Sequence, residues 1–148
     1  MDSAVRQVQS SSMFPSLVAG DEACFSRSAF APQPGEIWVA WNGARHVIHR
    51  VLFVHRGRIL LKGDWNLRPD GWFPRSALFG PVLEIQHDGH WRPANRLRDR
   101  ALGLALSGVG TSYQASRLLA RKLTVTVLGE SRTRSLAATL RSLRAKLP

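Results

Sequence analysis

HVIHRVLFVHRGRILLKG, His46 to Gly63, is the stretch whose reading decides the fold. Val47–Val54 and Ile59–Lys62 are apolar and β-branched runs, and the HRGR segment at 55–58 between them carries a turn glycine, so the stretch reads as a β-hairpin. Strand alternation places Val47, His49, Val51 and Phe53 on one side, which sets His49 among apolar neighbours. Working outward, Ala23–Phe25, Ile37–Trp41 and Val82–Ile85 are further short strand candidates, separated by turn signals such as the APQPG at 31–35. Short strands at this spacing imply a mainly β, antiparallel and partly closed sheet.

Beyond Trp91 the pattern becomes helical. Leu97, Ala101 and Leu104 fall at i, i+4, i+7, and Leu136, Leu140, Leu143 and Leu147 continue such a stripe, with Arg134, Arg141, Arg144 and Lys146 largely off it and Ser131 as a cap. The segment 122–128, KLTVTVL, reads equally as helix or strand. Charge divides at the same place: residues 1–90 hold nine Lys/Arg against eight Asp/Glu, while residues 91–148 hold twelve against two, so nearly all of the net +11 lies in the tail. The expected organisation is therefore a body over 1–90 and a basic, mostly helical C-terminal extension over 91–148, which reads equally as a solvated helical face or as a surface for nucleic acid, anionic lipid or an acidic protein.

The 148 residues, 44% hydrophobic and 21% charged, suffice for a real core. A single cysteine, Cys24, excludes an intrachain disulfide, a tetrathiolate metal site and a dithiol redox motif, and favours a reducing compartment. No run approaches the roughly 20 apolar residues of a membrane span, and the start, MDSAVRQVQSSS, lacks a secretory signal's apolar stretch. The glycines match neither a phosphate loop nor a dinucleotide fingerprint. The His46/His49 and His87/His90 spacings are poor metal sites, because i and i+3 on a strand point apart and the second pair has only Asp88 beside it. Trp38, Trp41, Trp65, Trp72 and Trp91 read as core or surface packing ahead of a peptide groove.

Three segments supply the residue types of acyl transfer: SSSMFPSL at 10–17 followed by Gly20-Asp21, VIHRV at 47–51, and GDWN at 63–66 followed by Asp70. A serine hydroxyl is a poor nucleophile without a base in reach and a third group orienting that base, and Ser12, His49 and Asp70 are those types. The Ser12 N–H and Ser10 hydroxyl are candidate oxyanion donors.

In order and spacing these boxes resemble the type I signal peptidases, in the Ser-His branch found in the endoplasmic reticulum, archaea and some spore formers. Ser12-Met13-Phe14-Pro15-Ser16-Leu17 with Gly20-Asp21 looks like the nucleophile box, and Pro34-Gly35-Glu36-Ile37 like the strand that follows. His49-Arg50-Val51 looks like the base box, Lys62-Gly63-Asp64-Trp65-Asn66 with Asp70 like the third box, and Leu78-Phe79-Gly80-Pro81-Val82 like the closing strand. The resemblance runs from Ser10 to Ile85. It implies a signal-peptidase/SOS-repressor-peptidase-like antiparallel β domain with Ser12 as nucleophile, His49 as general base, Asp70 orienting it, Asp64 as a supporting carboxylate and Ser10 as oxyanion donor. It further implies a substrate held as an added strand with small side chains at the first and third positions before the cut, and no cofactor.

The chain departs from that pattern in three places. The nine residues before Ser10 hold no membrane anchor, Ser11 stands where the family has glycine, and Trp65 stands for asparagine in the third box. The expected activity is cleavage of a precursor or leader peptide in the cytoplasm or peripherally at the inner membrane face; the leucine stripe of the last helix suits packing back on the β-body ahead of binding anionic lipid or a partner. The related SOS-repressor peptidases use a lysine base and follow a DNA-binding domain, which His49 and the short leader do not match. The alternative is a catalytically altered peptidase-fold protein binding nucleic acid or an acidic partner through its tail. With only Trp91 and Tyr113 as aromatics there, base stacking is not indicated.

Overall fold

The computed structural model describes residues 2–27, 30–113 and 115–120. The leucine stripe at 136–147, its Ser131 cap and the ambiguous segment 122–128 lie outside the described residues. Eight strands follow in chain order: β1 (Ser3–Gln7), β2 (Glu22–Ser26), β3 (Ile37–Trp41), β4 (His46–His55), β5 (Arg58–Lys62), β6 (Gly71–Pro74), β7 (Leu78–His87) and β8 (His90–Pro93). They form one antiparallel sheet in the order β1-β2-β7-β3-β4-β5-β6, with β8 also on β7, so that β1 and β6 end the path.

The β4–β5 hairpin closes at His55↔Arg58 around Arg56 (φ 46°) and Gly57 (φ 73°). Positive φ at both central residues is the two-residue turn whose twist matches that of paired strands. The side chains of β4 do not alternate as expected along their whole length. Val47, His49 and Val51 are buried, but Phe53 is 54% exposed. The cause is a register shift between Val51↔Leu61 and Phe53↔Leu60, which takes up Leu52 as an extra residue and reverses the faces beyond it.

β3 explains why the core is double. Ile37 and Val39 join Val8, Met13, Leu17, Phe25 and Ile85 in one apolar cluster, while Trp38 and Ala40 join Val47, Val51, Ile59, Leu61 and Phe73 in the other. A strand covered on both faces has no need of polar alternation, hence the continuous IWVAW.

Three strands lie outside the sequence expectation. β1 (SAVRQ) is an exposed edge, and β6 (GWFP) and β8 (HWRP) are short and proline-terminated, so none carries a clear apolar alternation. Residues 97–113, α1, are helical, as are 115–120. The change at 90/91 is one of composition; spatially the chain divides into Met1–Ser112 and Tyr113–Pro148. Helical structure thus begins at 97 and not at Trp91, because Trp91 pairs with Gln86 in β8. Leu97 and Ala101 are exposed, and the buried positions of α1 are Gly103, Ser107 and Gly110. In the second unit the Arg117 guanidinium lies 5.9 Å from the Tyr113 ring centre. No described helix is long and apolar enough to cross a membrane.

Candidate active site

Ser12 owes its position to the core beneath it. Leaving β1, the chain is tied to the β2 side by Val8 N–H to Asp21 O (2.8 Å) and Gly20 N–H to Val8 O (2.9 Å). It then turns through a single 3-10 turn, Ser11–Met13. Met13 and Leu17 are each 1% exposed within the first apolar cluster, and they pin the turn while Ser12 stays half-buried at the surface. From the other side, Trp65 N–H donates to the Ser12 carbonyl at 2.8 Å.

His49 projects from β4 opposite Trp38 and is buried. Its Nε2 lies 2.9 Å from Ser12 Oγ and its Nδ1 lies 2.5 Å from Asp70 Oδ2. Asp70 sits just before β6, fixed by its N–H to Leu61 O at 2.9 Å, with Asn66 Nδ2 3.4 Å from its second oxygen. Residues 37 and 21 apart in sequence therefore form one hydrogen-bonded series. With the Nδ1 proton donated to Asp70, the Nε2 lone pair faces the serine hydroxyl, the tautomer that a base needs. Ser10 Oγ is 3.1 Å from Ser12 Oγ.

Asp64 does not join that series. It is fully buried and receives Arg50 Nε (2.7 Å), Arg50 Nη2 (2.6 Å) and the Ser16 hydroxyl (2.5 Å), while Arg50 Nη1 donates to Gly35 O (2.7 Å). A buried guanidinium is tolerable because its donors are matched in this way. Lys62, also buried, donates to Gly63 O (3.1 Å), Ser107 O (2.9 Å) and Ser107 Oγ (3.0 Å). Burial pushes the Lys62 ammonium below its ordinary pKa, opposed by the charges of Asp64 and Asp70.

The small residues of α1 follow from these groups. A Cβ at Gly103 would overlap the Arg50 guanidinium, and one at Gly110 would overlap the Asp64 carbonyl. Helix α1 thus lies directly on the polar layer behind the Ser12–His49–Asp70 series. Sequence reasoning named Asp64 but missed Arg50 and Lys62 as its companions. The available signal was a charged residue inside each of two apolar strand runs, since such charges need buried partners.

The series opens onto a cleft of about 670 Å³ between β1 and the β3–β4 turn. Trp41 and His46 form part of its wall, their rings 5.0 Å apart, with Phe79 4.7 Å beyond His46. Trp41 therefore belongs to a groove, whereas Trp38 is core. The two histidine spacings are also accounted for: His46 packs on aromatic rings, and His87 Nδ1 bonds Asp21 Oδ1 at 2.6 Å. Among the described residues, no group of three His, Cys, Asp or Glu side chains is arranged to hold a metal. The chain matches no known family model and no curated protein sequence.

Proposed function

We propose that the protein is a serine endopeptidase with a signal-peptidase-like fold that cuts a leader or precursor peptide through an acyl-enzyme. The observation that carries this reading is the hydrogen-bonded series Ser12–His49–Asp70, standing at an open cleft on three separately supported segments. His49 Nε2 takes the Ser12 proton as Oγ attacks the scissile carbonyl, then delivers it to the leaving amine. Water repeats the sequence on the ester and frees Ser12. Asp70 keeps His49 in the required tautomer and offsets the imidazolium charge. The first-turn N–H of Ser12, which a 3-10 turn leaves without an intrahelical partner, and the Ser10 hydroxyl stabilise the oxyanion. The buried Arg50–Asp64 pair holds the loop from Gly63 to Asp70 in place without touching substrate.

The substrate lies as an extra strand along β1. Because Val8 directs its N–H and C=O toward the β2 side, and Asp2 O accepts from Arg27 N–H, the odd residues Val5, Gln7 and Gln9 direct theirs away. Among the described residues β1 ends the sheet, and the substrate would pair with that row.

The test is cleavage of a peptide library enriched in small-x-small motifs, read by mass spectrometry, with wild type, Ser12→Ala and His49→Ala compared. Cutting by wild type that both variants lose is expected. Cutting that survives in either folded variant, or its absence from folded wild type with and without anionic liposomes, refutes the assignment.

A further inference from the structure

The peptidase reading leaves unexplained the charge on the cleft wall. Arg6 lies on β1 between Ala4 and Val8 on one face, since alternate residues of a strand share a side. Val8 belongs to the first apolar cluster and Ala4 packs against it, so an arginine occupies a row that otherwise faces the core. Arg45 stands across the cleft in the β3–β4 turn. That turn is fixed by Asn42 Oδ1, which accepts the Ala44 and Arg45 N–H groups at 3.1 and 2.9 Å, and by Asn42 N–H to Arg45 O at 3.1 Å. Both arginines are exposed and line the cleft.

In the body Arg27, Arg50 and Arg100 each face a carboxylate, whereas Arg56, Arg58, Arg68, Arg75, Arg92 and Arg96 do not; what sets Arg6 and Arg45 apart from these is that both line the cleft. Arg6 and Arg45 form no ion pair with any described residue. The carboxylate on the cleft wall is Asp70, which is engaged by His49. His46, beside Arg45, adds no charge near neutrality: burial lowers its pKa first, and the positive field of Arg6 lowers it further. Among the described residues the wall thus carries two arginines, and its one carboxylate, Asp70, is held by His49.

We propose that this cleft selects peptides carrying an aspartate or glutamate about three to five residues from the cleaved bond. The inference rests on the peptidase reading and names its substrate class. The spacing comes from the strand: His46 precedes His49 by three residues on β4, so it stands about 10 Å from the base at about 3.3 Å per residue, and Arg45 follows it into the turn. A substrate strand covers the same distance with the same number of residues. An acidic side chain there enters the positive field of the cleft's two arginines, whereas a basic one meets like charge.

The competing account of Arg6 is that an inward-pointing charge on an edge strand prevents pairing with a second chain. It predicts no acid preference and leaves Arg45 unexplained. The experiment uses the full chain and peptides that share a cleaved core found by library screening. Each carries a single Asp, Asn or Lys moved stepwise along both sides of the cut. Values of kcat/KM are measured with wild type, Arg6→Glu, Arg45→Glu and the double variant, and peptide affinity is measured separately by fluorescence anisotropy on Ser12→Ala.

The expected result is a preference for Asp over Asn of about five- to tenfold at one position, in both kcat/KM and affinity. The double variant should prefer Lys at that position, and the wild-type preference should collapse in about 0.5 M salt. Equal cutting and equal binding of the Asp and Asn peptides overturns the proposal while leaving the peptidase reading intact. A preference that persists unchanged in the double variant also overturns it. Arg-dependent binding of acidic peptides found by affinity screening, with no cutting by wild type, upholds the acidic specificity and refutes the peptidase reading. Absence of both binding and cutting overturns both.

Discussion

Replacing Gly110 and Gly108 by alanine makes the same chemical change two residues apart on α1, and the two should act in opposite directions. In a helix interior, Gly→Ala gains about 0.8–1 kcal/mol from backbone entropy. Nothing lies within 4 Å of a Cβ at Gly108, so Gly108→Ala should realise that gain. At Gly110 the new methyl overlaps the Asp64 carbonyl oxygen and would sit 3.2 Å from Trp65 Cα. These are backbone atoms, and they cannot rotate aside. Relief requires either that α1 lift, which stretches the Lys62 bonds to Ser107, or that the Asp64–Trp65 segment shift, which pulls on the 2.8 Å bond from Trp65 N–H to Ser12 O. Overpacking costs about 1–3 kcal/mol, and each weakened buried hydrogen bond adds about 0.5–1.5 kcal/mol.

Gly110→Ala should therefore lose about 1–3 kcal/mol net, separating the two variants by about 2–4 kcal/mol. With a urea slope of about 1–3 kcal/mol per molar, the unfolding midpoints should differ by about 1 M or more. Peptide cleavage by Gly110→Ala should fall as well, measured where the variant is still folded, because Ser12 is displaced. A Gly110→Ala midpoint at or above wild type, in step with Gly108→Ala, would refute the seating of α1 on the Asp64 loop.

Asp70→Asn should keep Ser12 and His49 in place but favour the wrong tautomer, lowering kcat by about 10²–10⁴; single-turnover kinetics check this, and an unchanged rate would remove Asp70 from the mechanism. Asp64→Leu should leave the Arg50 charge buried and unpaired at a cost of about 3–5 kcal/mol, and Arg50→Met added to it should recover part of that loss. A double-mutant cycle in urea reads the coupling, and simple additivity would contradict the pair's geometry. For pH, the hydrogen bond to Asp21, then the charges of Asp88 and Asp21, raise the His87 pKa above 6.5. A raised folded-state pKa stabilises the protein fully below the unfolded value, and that contribution is lost as pH rises through the folded value. Urea midpoints of wild type should thus fall relative to His87→Asn as pH rises above 6.5, and parallel profiles would count against the ion pair.

The elements legible in the sequence are those whose signal is local. β4 and β5 declare themselves by β-branched runs about an Arg-Gly turn, and β3 by unbroken apolarity. β1, β6 and β8 were not legible, because edge strands are stabilised by a neighbour's backbone and need no apolar pattern of their own. Phe53 shows the limit inside a well-read strand. Alternation places it inward, and the bulge at Leu52, set by pairing with β5, turns it out.

The candidate site divides in the same way. Its residue types and their order stand in the sequence: a serine beside Met13 and Pro15, a histidine within a strand, and an aspartate after a turn. Whether Ser12 Oγ stands 2.9 Å from His49 Nε2 depends on pairings far apart in the chain. Met13 must reach the core, β4 must lie beside β3, and the loop after β5 must be clamped by Arg50 on one side and α1 on the other. Leu97 and Ala101 mark a helix, yet Gly103, Ser107 and Gly110 face inward, since what covers that face is a charged layer needing close approach. Composition and period thus determined the strand content and the chemical types present. Tertiary packing decided their proximity, because a hydrogen bond a few ångströms long between distant residues is a property of the strand pairings and of no single segment.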